Sequence, residues 1–293
     1  MERKSEPPGP QIDGEGSIHK AGVLGAGQMG AGIAAVLVRA GISTSLVDLN
    51  PTALGSAVRR VEQIVAKGRQ DEDINQSDRA SLLATSTDIG LLAGCDLVIE
   101  AVLEDEARKT AMFRTLSGLL GASAIMASNT STIPISRLAQ AWPHPERFAG
   151  MHFFNPVHRM ELVEVIRGER TGGDAIRRLV ALARRLGKTP IVVGDGPGFL
   201  TTRVLFPYLS QAMALLLEGA AMNTIDAAAV KFGMARGPIA LLDLVGLDTA
   251  LGIARIMTAT FPERFAVNPL LVDLVSLGRL GQKSGAGFRK SAR

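Results

Sequence analysis

The sequence is poor in cysteine, in aromatic residues and in long apolar runs, and each shortage excludes a class of protein. Cys95 is the only cysteine among 293 residues, so a disulfide within the chain and a zinc site built from several cysteines are both excluded. No apolar run approaches the roughly 20 residues that a membrane span requires. Residues 1–17 are polar, rich in proline and glycine, and lack the apolar segment of a secretory signal. We therefore expect a cytoplasmic protein with no membrane partner and a disordered lead over residues 1–17.

The chain carries a formal net charge of +4 and has a pI of about 9.5, but aromatic residues make up only 4% of it. No basic stretch is interleaved with aromatic side chains, so we expect no nucleic-acid partner. The excess of positive charge is equally typical of a solvated surface and of a field that attracts an anionic small molecule, such as one with phosphate groups.

The first strong motif is the stretch AGVLGAGQMG over residues 21–30. Its apolar strand pattern ends in Gly25, Gly27 and Gly30, and a helical pattern follows directly. This order is typical of a dinucleotide-binding turn, in which the glycines permit a tight turn, a close approach to a pyrophosphate and close packing of helix on strand. A second strand pattern ends in Asp48, whose carboxylate would bind the adenosine ribose and repel a 2′-phosphate, so NAD is favoured over NADP. The alternative is a glycine-rich turn of another α/β protein, with Asp48 capping the next helix.

Strand and helix patterns alternate up to about residue 193, and only helical patterns follow residues 195–198. The alternation predicts the α/β class with a Rossmann-like, doubly wound, mainly parallel sheet, followed by an all-α C-terminal domain. A charged stretch over residues 69–79 predicts a helical insertion standing off the sheet. The predicted domains are an NAD-binding domain over residues 18–196 and a helical domain for substrate binding and dimerisation over residues 197–293.

Three polar clusters follow predicted strands, at the edge where open α/β sheets bind ligands. The first contains Glu104 and Lys109, and the second is the run Ser-Asn-Thr-Ser over residues 128–131. The third is His152, with Glu164 on the next strand. The polar run has two interpretations, as a ligand-binding segment or as turn chemistry with a helix cap.

His152 is the most informative of the four histidines, because it interrupts an apolar strand pattern. Burying an imidazole costs stability unless it is hydrogen-bonded, and a carboxylate from Glu164 would orient the ring and stabilise its protonated form. The position of His152 alone is equally consistent with a core histidine held by the backbone and with a catalytic base. The nicotinamide site expected beside it favours the catalytic base. The other histidines, His19, His144 and His158, are predicted at the surface or in turns.

Together these residues resemble the L-3-hydroxyacyl-CoA dehydrogenase family. The block from HFFNPV to LVEVI, with SNTS before it, is far more specific than the glycine motif. Within the family, the strings of this chain are most similar to those in the dehydrogenase part of larger multifunctional β-oxidation enzymes. The similar strings extend from about residue 20 to residue 288 and are GVLGAGQMGAGIA, VDLN, VIEAVLED, ASNTSTIPI, FAGMHFFNPVHRMELVEVI, PGFLTTRVLFPYL, GPIALLDLVGLDTA and LGQKSGAGF.

The resemblance implies an NAD-dependent enzyme that interconverts an L-3-hydroxyacyl-CoA and the 3-ketoacyl-CoA. His152 would take the hydroxyl proton, Glu164 would stabilise the imidazolium, and Ser131 would contact the substrate oxygen near the nicotinamide. The implied NAD-binding residues are Gly25, Ala26, Gly27, Gln28, Met29, Gly30, Asp48, Glu104, Lys109, Ser131, Asn155 and Lys283. The implied substrate-binding residues are Ser131, Asn129, Lys67 and Arg69, the last two as contacts of coenzyme A phosphates.

Two positions depart from the family pattern. Thr202 stands where many relatives have asparagine in a PGF-x-x-N-R string that contributes to the substrate oxygen site. A threonine hydroxyl can still donate a hydrogen bond, so Thr202 remains a candidate catalytic residue, with altered efficiency rather than inactivity. The chain reads Phe288-Arg-Lys where relatives often continue GF-Tyr-x-Tyr, and no functional interpretation follows from this difference.

Two other functions remain open. A dehydrogenase of a free hydroxy acid or sugar acid would use the same fold, and a non-catalytic NAD-binding protein would keep the turn without the chemistry. No metal site is predicted. Relatives with a single such domain dimerise through the helical part, so we expect a homodimer that uses an apolar face predicted to be exposed there, formed by Phe206, Leu209, Met213 and Leu216.

Overall fold

The computed structural model describes residues 17–67 and 81–290. Two predicted segments therefore lie outside the described residues: almost all of the lead over residues 1–17, and all of residues 69–79, for which a helical insertion is predicted and which include Arg69. In the part of the chain that the structure describes, no helix is both long enough and apolar enough to cross a membrane.

Eight strands form one sheet in the order β3-β2-β1-β4-β5-β6-β7-β8. All neighbouring strands are parallel except β6 and β7, which are antiparallel. The predicted mainly parallel sheet is thus confirmed. The strands are β1 (Lys20–Leu24), β2 (Ser43–Val47), β3 (Leu83–Ser86), β4 (Leu97–Glu100), β5 (Ile125–Ser128), β6 (Phe148–Phe153), β7 (Leu162–Arg167) and β8 (Thr189–Gly194).

Helices connect most of the strands, and in the described residues after Gly194 they are the main secondary structure. The predicted all-α C-terminal domain is confirmed, since the last strand ends at Gly194. The helices of the described residues are α1 (Gln28–Arg39), α2 (Pro51–Ala66), α3 (Glu106–Ser117), α4 (Ile135–Leu138), α5 (Gly173–Arg185), α6 (Thr201–Leu217), α7 (Met222–Phe232), α8 (Pro238–Val245), α9 (Leu247–Thr260) and α10 (Pro269–Ser276).

Alternation along the strands divides the sheet into two packed faces. On one face, the apolar side chains of β4, such as Leu97 and Ile99, form a core with α1, α2 and α5. On the other face, the Phe113 ring of α3 packs edge-on against the Phe148 ring of β6, with centroids 5.1 Å apart. Helices on both faces make the sheet doubly wound, as predicted.

The turn between β1 and α1 has the compact form that its glycines predict. Gly25 has a φ of +105°, in the region that favours glycine, and its N–H donates to the carbonyl of Val47 at 2.8 Å. A Cβ at Gly30 would lie 1.7 Å from the carbonyl oxygen of Gly25. The close approach of α1 to β1 therefore requires glycine at position 30.

The chain divides into two compact units. The first unit consists of two segments, one up to Thr130 and one from Ile135 to Asp195. The second unit consists of Ser131–Pro134 and the residues from Gly196 onward. This division assigns Ser131 to the helical unit, although the segment lies within the range predicted for the first domain.

The second unit has its own apolar core, and one sequence-based prediction about it is wrong. Phe206, Leu209 and Met213 are buried, because α6 turns this face toward α8 within the unit. Leu216 is only partly exposed. Helical spacing shows which residues share a face but not whether another helix covers it. The strongly exposed apolar residues of this unit include Phe232, which is 88% exposed.

Replacing Gly30 by alanine should lower the free energy of unfolding by at least about 2 kcal/mol, since the added methyl group overlaps a backbone oxygen that cannot move alone. The matched control is Gly55→Ala in the middle of α2, where the nearest heavy atom to an added Cβ is 3.8 Å away. This control should raise stability by about 0.5–1 kcal/mol. Urea unfolding measures both, and equal effects would contradict the close-packing argument.

Candidate active site

His152 and Glu164 face each other across the antiparallel pair of strands. The register pairs the two residues directly, and His152 Nδ1 lies 2.7 Å from Glu164 Oε2. The Glu164 side chain is fully buried and that of His152 is 7% exposed. The Phe154 ring, with its centroid 4.6 Å from that of the imidazole, packs beside the pair. A buried carboxylate is stable only with strong partners, and the His152 ring is such a partner for Glu164. The same hydrogen bond holds the ring in one orientation.

Alternation places four polar side chains on one face of the sheet. The neighbours of these residues along β4 to β7, such as Ile99 and Val163, belong to the core on the α1 face. Glu100, Ser128, His152 and Glu164 therefore share the opposite face. Glu100 pairs with Ser128 in the register of β4 and β5, at the carboxyl ends of both strands. The predicted clusters thus converge at one edge, where parallel strands present ligand-binding groups.

A buried ion-pair network supports this edge. Glu100 is fully buried and accepts hydrogen bonds from Lys109 Nζ at 2.6 Å and from the Ser128 hydroxyl at 2.6 Å. Lys109, 1% exposed, also lies 3.2 Å from a carboxylate oxygen of Glu104. The other oxygen of Glu104 accepts from the Thr130 hydroxyl. The ammonium of Lys109 therefore pairs with two carboxylates, and its part in NAD binding stays a prediction.

Sequence analysis missed Glu100. The available signal was a carboxylate inside the apolar string LVIEAV, where burial would demand a cationic partner. Lys109 provides that partner from one turn into α3, nine residues later.

Asn129 ties the loop after β5 to the histidine strand. Its side-chain carbonyl accepts from the backbone N–H of Phe153 at 2.8 Å, and its own N–H donates to the carbonyl of Glu100. Asn129 therefore fixes the spacing of β4, β5 and β6 beside His152.

A second contact links the histidine strand to the glycine turn. Gln28 Nε2 donates to Asn155 Oδ1 at 3.0 Å, and both side chains are exposed. Because Asn155 follows β6 and Gln28 opens α1, the two predicted parts of the site lie side by side in the first unit.

The glycine turn forms a cradle for a phosphate group. A Cβ added at Gly27 would meet no heavy atom within 4 Å, so the space above the start of α1 is open on the protein side. The backbone N–H groups of the first turn of α1 point to this space, and they carry the positive end of the helix dipole. Gly27 itself caps the helix with no side chain in the way.

Asp48 lies at the end of β2 with two of its hydrogen bonds made by the protein. One oxygen accepts from the N–H of Ala26 at 2.7 Å and the other from the N–H of Asn50 at 2.8 Å. A carboxylate has about four acceptor positions, so two remain for ribose hydroxyl groups. Asn50, and not Asp48, caps α2, since its side chain accepts from Thr52 and Ala53. The interpretation of Asp48 as the cap of that helix is therefore wrong.

Other predicted residues belong to the second unit. Ser131 is in its first segment, and Thr202 is in the first turn of α6. Lys283 Nζ lies 2.6 Å from Asp248 Oδ2. Burial favours the protonated form of Asp248, but the hydrogen bond and charge of Lys283, with backbone N–H groups, outweigh it and hold the pKa of this carboxyl below its ordinary value. The roles assigned to Ser131, Thr202 and Lys283 stay predictions.

The remaining predicted positions, Lys67 and Met29, differ in exposure. Lys67 is exposed at the C-terminal end of α2, and Met29 is partly buried within the first turn of α1. Among residues 17–67 and 81–290, no group of three or more His, Cys, Asp or Glu side chains is placed to hold a metal ion.

The unusual C-terminal string has a structural role in the second unit. The buried carboxylate of Asp243 accepts from the N–H groups of Phe288 and Arg289, at 2.7 and 3.0 Å. The Arg289 guanidinium forms an ion pair with Asp226 at 2.9 Å. Arg289 thus fastens the end of the described chain to α7.

Comparison with known proteins identifies one family in both parts of the chain. The family model described as 3-hydroxyacyl-CoA dehydrogenase, NAD binding domain, matches residues 20–196, and the model of its C-terminal domain matches residues 198–291.

Individual proteins agree with this match. The fatty acid oxidation complex subunit alpha of Psychrobacter arcticus is 43% identical over 281 residues, which are 93% of this chain and 39% of that protein. The chain thus spans well under half the length of this curated relative. The crystal structure of FadB2 from M. tuberculosis has a TM-score of 0.88 and 39% identity, covering 94% of this chain and 100% of that one. The (S)-3-hydroxybutyryl-CoA dehydrogenase PaaH1 from Ralstonia eutropha has the same TM-score and coverage at 35% identity.

Replacing Glu100 by leucine should lower the free energy of unfolding by about 3–5 kcal/mol, because it removes one of two carboxylates from the buried Lys109 ammonium. The double variant Glu100→Leu/Lys109→Met should be clearly more stable than the single variant, since no unpaired cation remains. The control Arg108→Ala, which removes an exposed pair with Asp105, should change stability by less than about 1 kcal/mol. In urea unfolding, a double variant no more stable than Glu100→Leu would contradict the charge argument.

Proposed function

This chain belongs to the 3-hydroxyacyl-CoA dehydrogenase family, and we propose that it interconverts an L-3-hydroxyacyl-CoA and the corresponding 3-ketoacyl-CoA with NAD as the hydride carrier. The observation that carries this proposal is the buried His152–Glu164 pair beside the strand end that contacts the glycine turn. Such a pair supplies an oriented base next to the place where a nicotinamide ring is expected.

The first unit fits NAD at its phosphates and at its adenosine ribose. The open space at Gly27 and the N–H groups at the start of α1 suit the pyrophosphate. The remaining acceptor positions of Asp48 suit the ribose hydroxyl groups, and its charge opposes a 2′-phosphate. Glu104, held in place by Lys109 and Thr130, is proposed to contact the nicotinamide half. When bound, NAD supplies the ring that accepts a hydride from the β-carbon of the substrate.

His152 is the proposed general base. The carboxylate of Glu164 accepts from Nδ1–H, which leaves Nε2 as the basic nitrogen of the neutral ring. Nε2 takes the proton of the substrate hydroxyl as the hydride leaves, and it returns the proton to the carbonyl oxygen in the reverse direction. The buried carboxylate stabilises the imidazolium that forms, because opposite charges attract strongly where water is excluded.

The substrate oxygen is proposed to contact Ser131 and Thr202, in addition to His152. Both side chains carry hydroxyl donors that could stabilise charge on this oxygen as it develops. Asn129 is proposed to position the acyl-CoA by fixing the loop that leads to Ser131. Lys67 and Arg69 are the proposed partners of the coenzyme A phosphates.

The oligomeric state and the location in the cell are part of the same proposal. A homodimer in the cytoplasm is expected, and exposed apolar residues of the second unit, such as Phe232 and Val230 on α7, are available for its interface. Native mass measurement tests the dimer.

His152→Gln should abolish turnover of acetoacetyl-CoA with NADH while NADH affinity changes less than twofold, because the ring acts on the substrate proton and not on the cofactor. Glu164→Gln should lower kcat by about 10²–10⁴-fold. The measurements are NADH absorbance for turnover and fluorescence titration for binding. The discriminating control offers the parent protein free 3-keto acids in place of acetoacetyl-CoA. Faster reduction of the free acids would favour a hydroxy-acid dehydrogenase, and no reduction of either class would favour a non-catalytic NAD-binding protein.

Asp48→Asn should lower the preference for NADH over NADPH by at least about tenfold, because it removes the charge that opposes a 2′-phosphate. The single amide oxygen can still accept from the N–H of Ala26 in the glycine turn, while the bond from the N–H of Asn50 is lost. Affinities for both cofactors measure this preference. An unchanged ratio would contradict the proposed role of Asp48 at the ribose.

A further inference from the structure

The first unit contains a basic pocket that the proposed chemistry does not use. Its volume is about 440 Å³, within the usual range of small-molecule sites. It lies between the C-terminal end of α1, the loop that joins β6 to β7, and the turn that joins α5 to β8. The residues that define this basic pocket are Arg39, His158, Arg159, Glu161, Arg185 and Lys188.

Two of the cations have partners that hold them in place. Arg185 donates to the carbonyls of Ile18 and Ala40. Lys188 donates to the carbonyls of Val157 and Met160 in the loop between β6 and β7. An ammonium has three N–H groups, so Lys188 retains one donor beyond these two bonds. In the described ranges, none of Arg39, Arg159 and Lys188 has a carboxylate within 4 Å.

The simplest structural explanation is that these cations only neutralise helix ends. The C-terminal ends of α1 and α5 both line the pocket, and each contributes about half a negative charge. Glu161 contributes one more. Against these, the pocket has three arginine guanidinium groups and the Lys188 ammonium, so an excess of about two positive charges remains when all four are protonated. Helix ends therefore account for only part of the cation cluster.

Two titratable groups respond to this excess. Burial lowers the pKa of His158, and the charges of Arg159, Arg39, Lys188 and Lys67 lower it further. Burial also lowers the pKa of Lys188, with Arg39 adding to the effect and Glu161 opposing it. The two lowered pKa values indicate that the cationic side chains lie close together in a partly desolvated space, where binding of an anion would be strongly favoured.

We propose that the basic pocket binds a phosphate-bearing ligand, with Arg39, Arg159 and Lys188 as its phosphate contacts. Guanidinium groups match phosphate oxygens in pairs, and a lysine ammonium adds a point charge. Two sources of such a ligand share this chemistry. One is the phosphorylated end of the acyl-CoA substrate, whose several phosphate groups would be divided between this pocket and Lys67, a residue whose charge also acts on His158. The other is a free phosphate or nucleotide.

The position of the basic pocket is compatible with the first source, which rests on the proposed function. The loop that forms one wall begins directly after the histidine strand, so it leads from the reacting end toward the pocket. The other wall is the far end of α1, roughly 17 Å from the glycine turn by the rise of twelve helical residues. An extended pantetheine arm has a comparable reach, so a ligand with its phosphates at Arg39 would place its thioester toward the first turn of α1, where Gln28 contacts Asn155 after the histidine strand.

The test compares Arg39→Gln/Arg159→Gln with the control Arg184→Gln/Arg264→Gln, which removes two exposed arginines outside the basic pocket. Calorimetry measures inorganic pyrophosphate binding to the full chain with NADH saturating, so that the glycine turn is occupied. We expect the Kd of pyrophosphate to rise at least tenfold in the pocket variant and to change less than twofold in the control. No measurable binding to the parent at millimolar pyrophosphate, or equal effects of the two double variants, would overturn the proposal.

A second arm identifies the source. If the substrate is the source, the KM for acetoacetyl-CoA rises at least tenfold in the pocket variant, and that for acetoacetyl-pantetheine, which lacks these phosphates, does not. If pyrophosphate binding is lost but the KM for acetoacetyl-CoA is unchanged, the ligand is a free phosphate compound. The calorimetric measurement needs no turnover, so it tests whether the pocket binds phosphate groups even if the chain reduces neither thioester.

Discussion

The whole site depends on one reversal of strand direction. Six strands of the sheet are parallel neighbours reached through crossovers, but β6 turns back through a short loop into β7. That hairpin sets His152 directly opposite Glu164, only twelve residues away. Because both residues lie inside the packed face, the carboxylate has a nearby partner without any long-range assembly. The antiparallel step is therefore a local way of placing an oriented imidazole at the edge of a parallel sheet.

Around this pair, polar groups replace part of what would otherwise be an apolar layer. Glu100, Lys109 and Ser128 form a buried chain of charge-assisted hydrogen bonds across β4, α3 and β5, and Asn129 extends it to β6. Such a network is stable only when every member is satisfied, so its geometry is strongly specified. A rigid polar layer of this kind suits the proposed reaction, in which a proton leaves the substrate hydroxyl while a hydride leaves the carbon that bears it.

Local signals in the sequence were sufficient for most of the fold. Glycine spacing predicted the turn at Gly25, and near-continuous apolar runs located buried strands such as β4, because parallel strands covered on both faces are apolar throughout. The pairing of His152 with Glu164 was also predictable, since adjacent strands meet side by side. Glu100 was missed because a buried charge is recognisable only with its partner. The covered face of α6 was mispredicted because periodicity does not reveal a neighbouring helix. Arg39, Arg159 and Lys188 lie on three separate elements, so no sequence window contains their convergence.

The two hydrogen bonds of Arg185 have a consequence for the order in which the chain folds during its synthesis. Its guanidinium joins the carbonyl of Ile18, just before the first strand, to that of Ala40, and the first of these contacts spans 167 residues. Contacts of such separation form late, because a long loop must close before they contribute. During synthesis the two Arg185 contacts consequently cannot form until α5 has left the ribosome, so the first unit becomes complete only when nearly all of it has been translated.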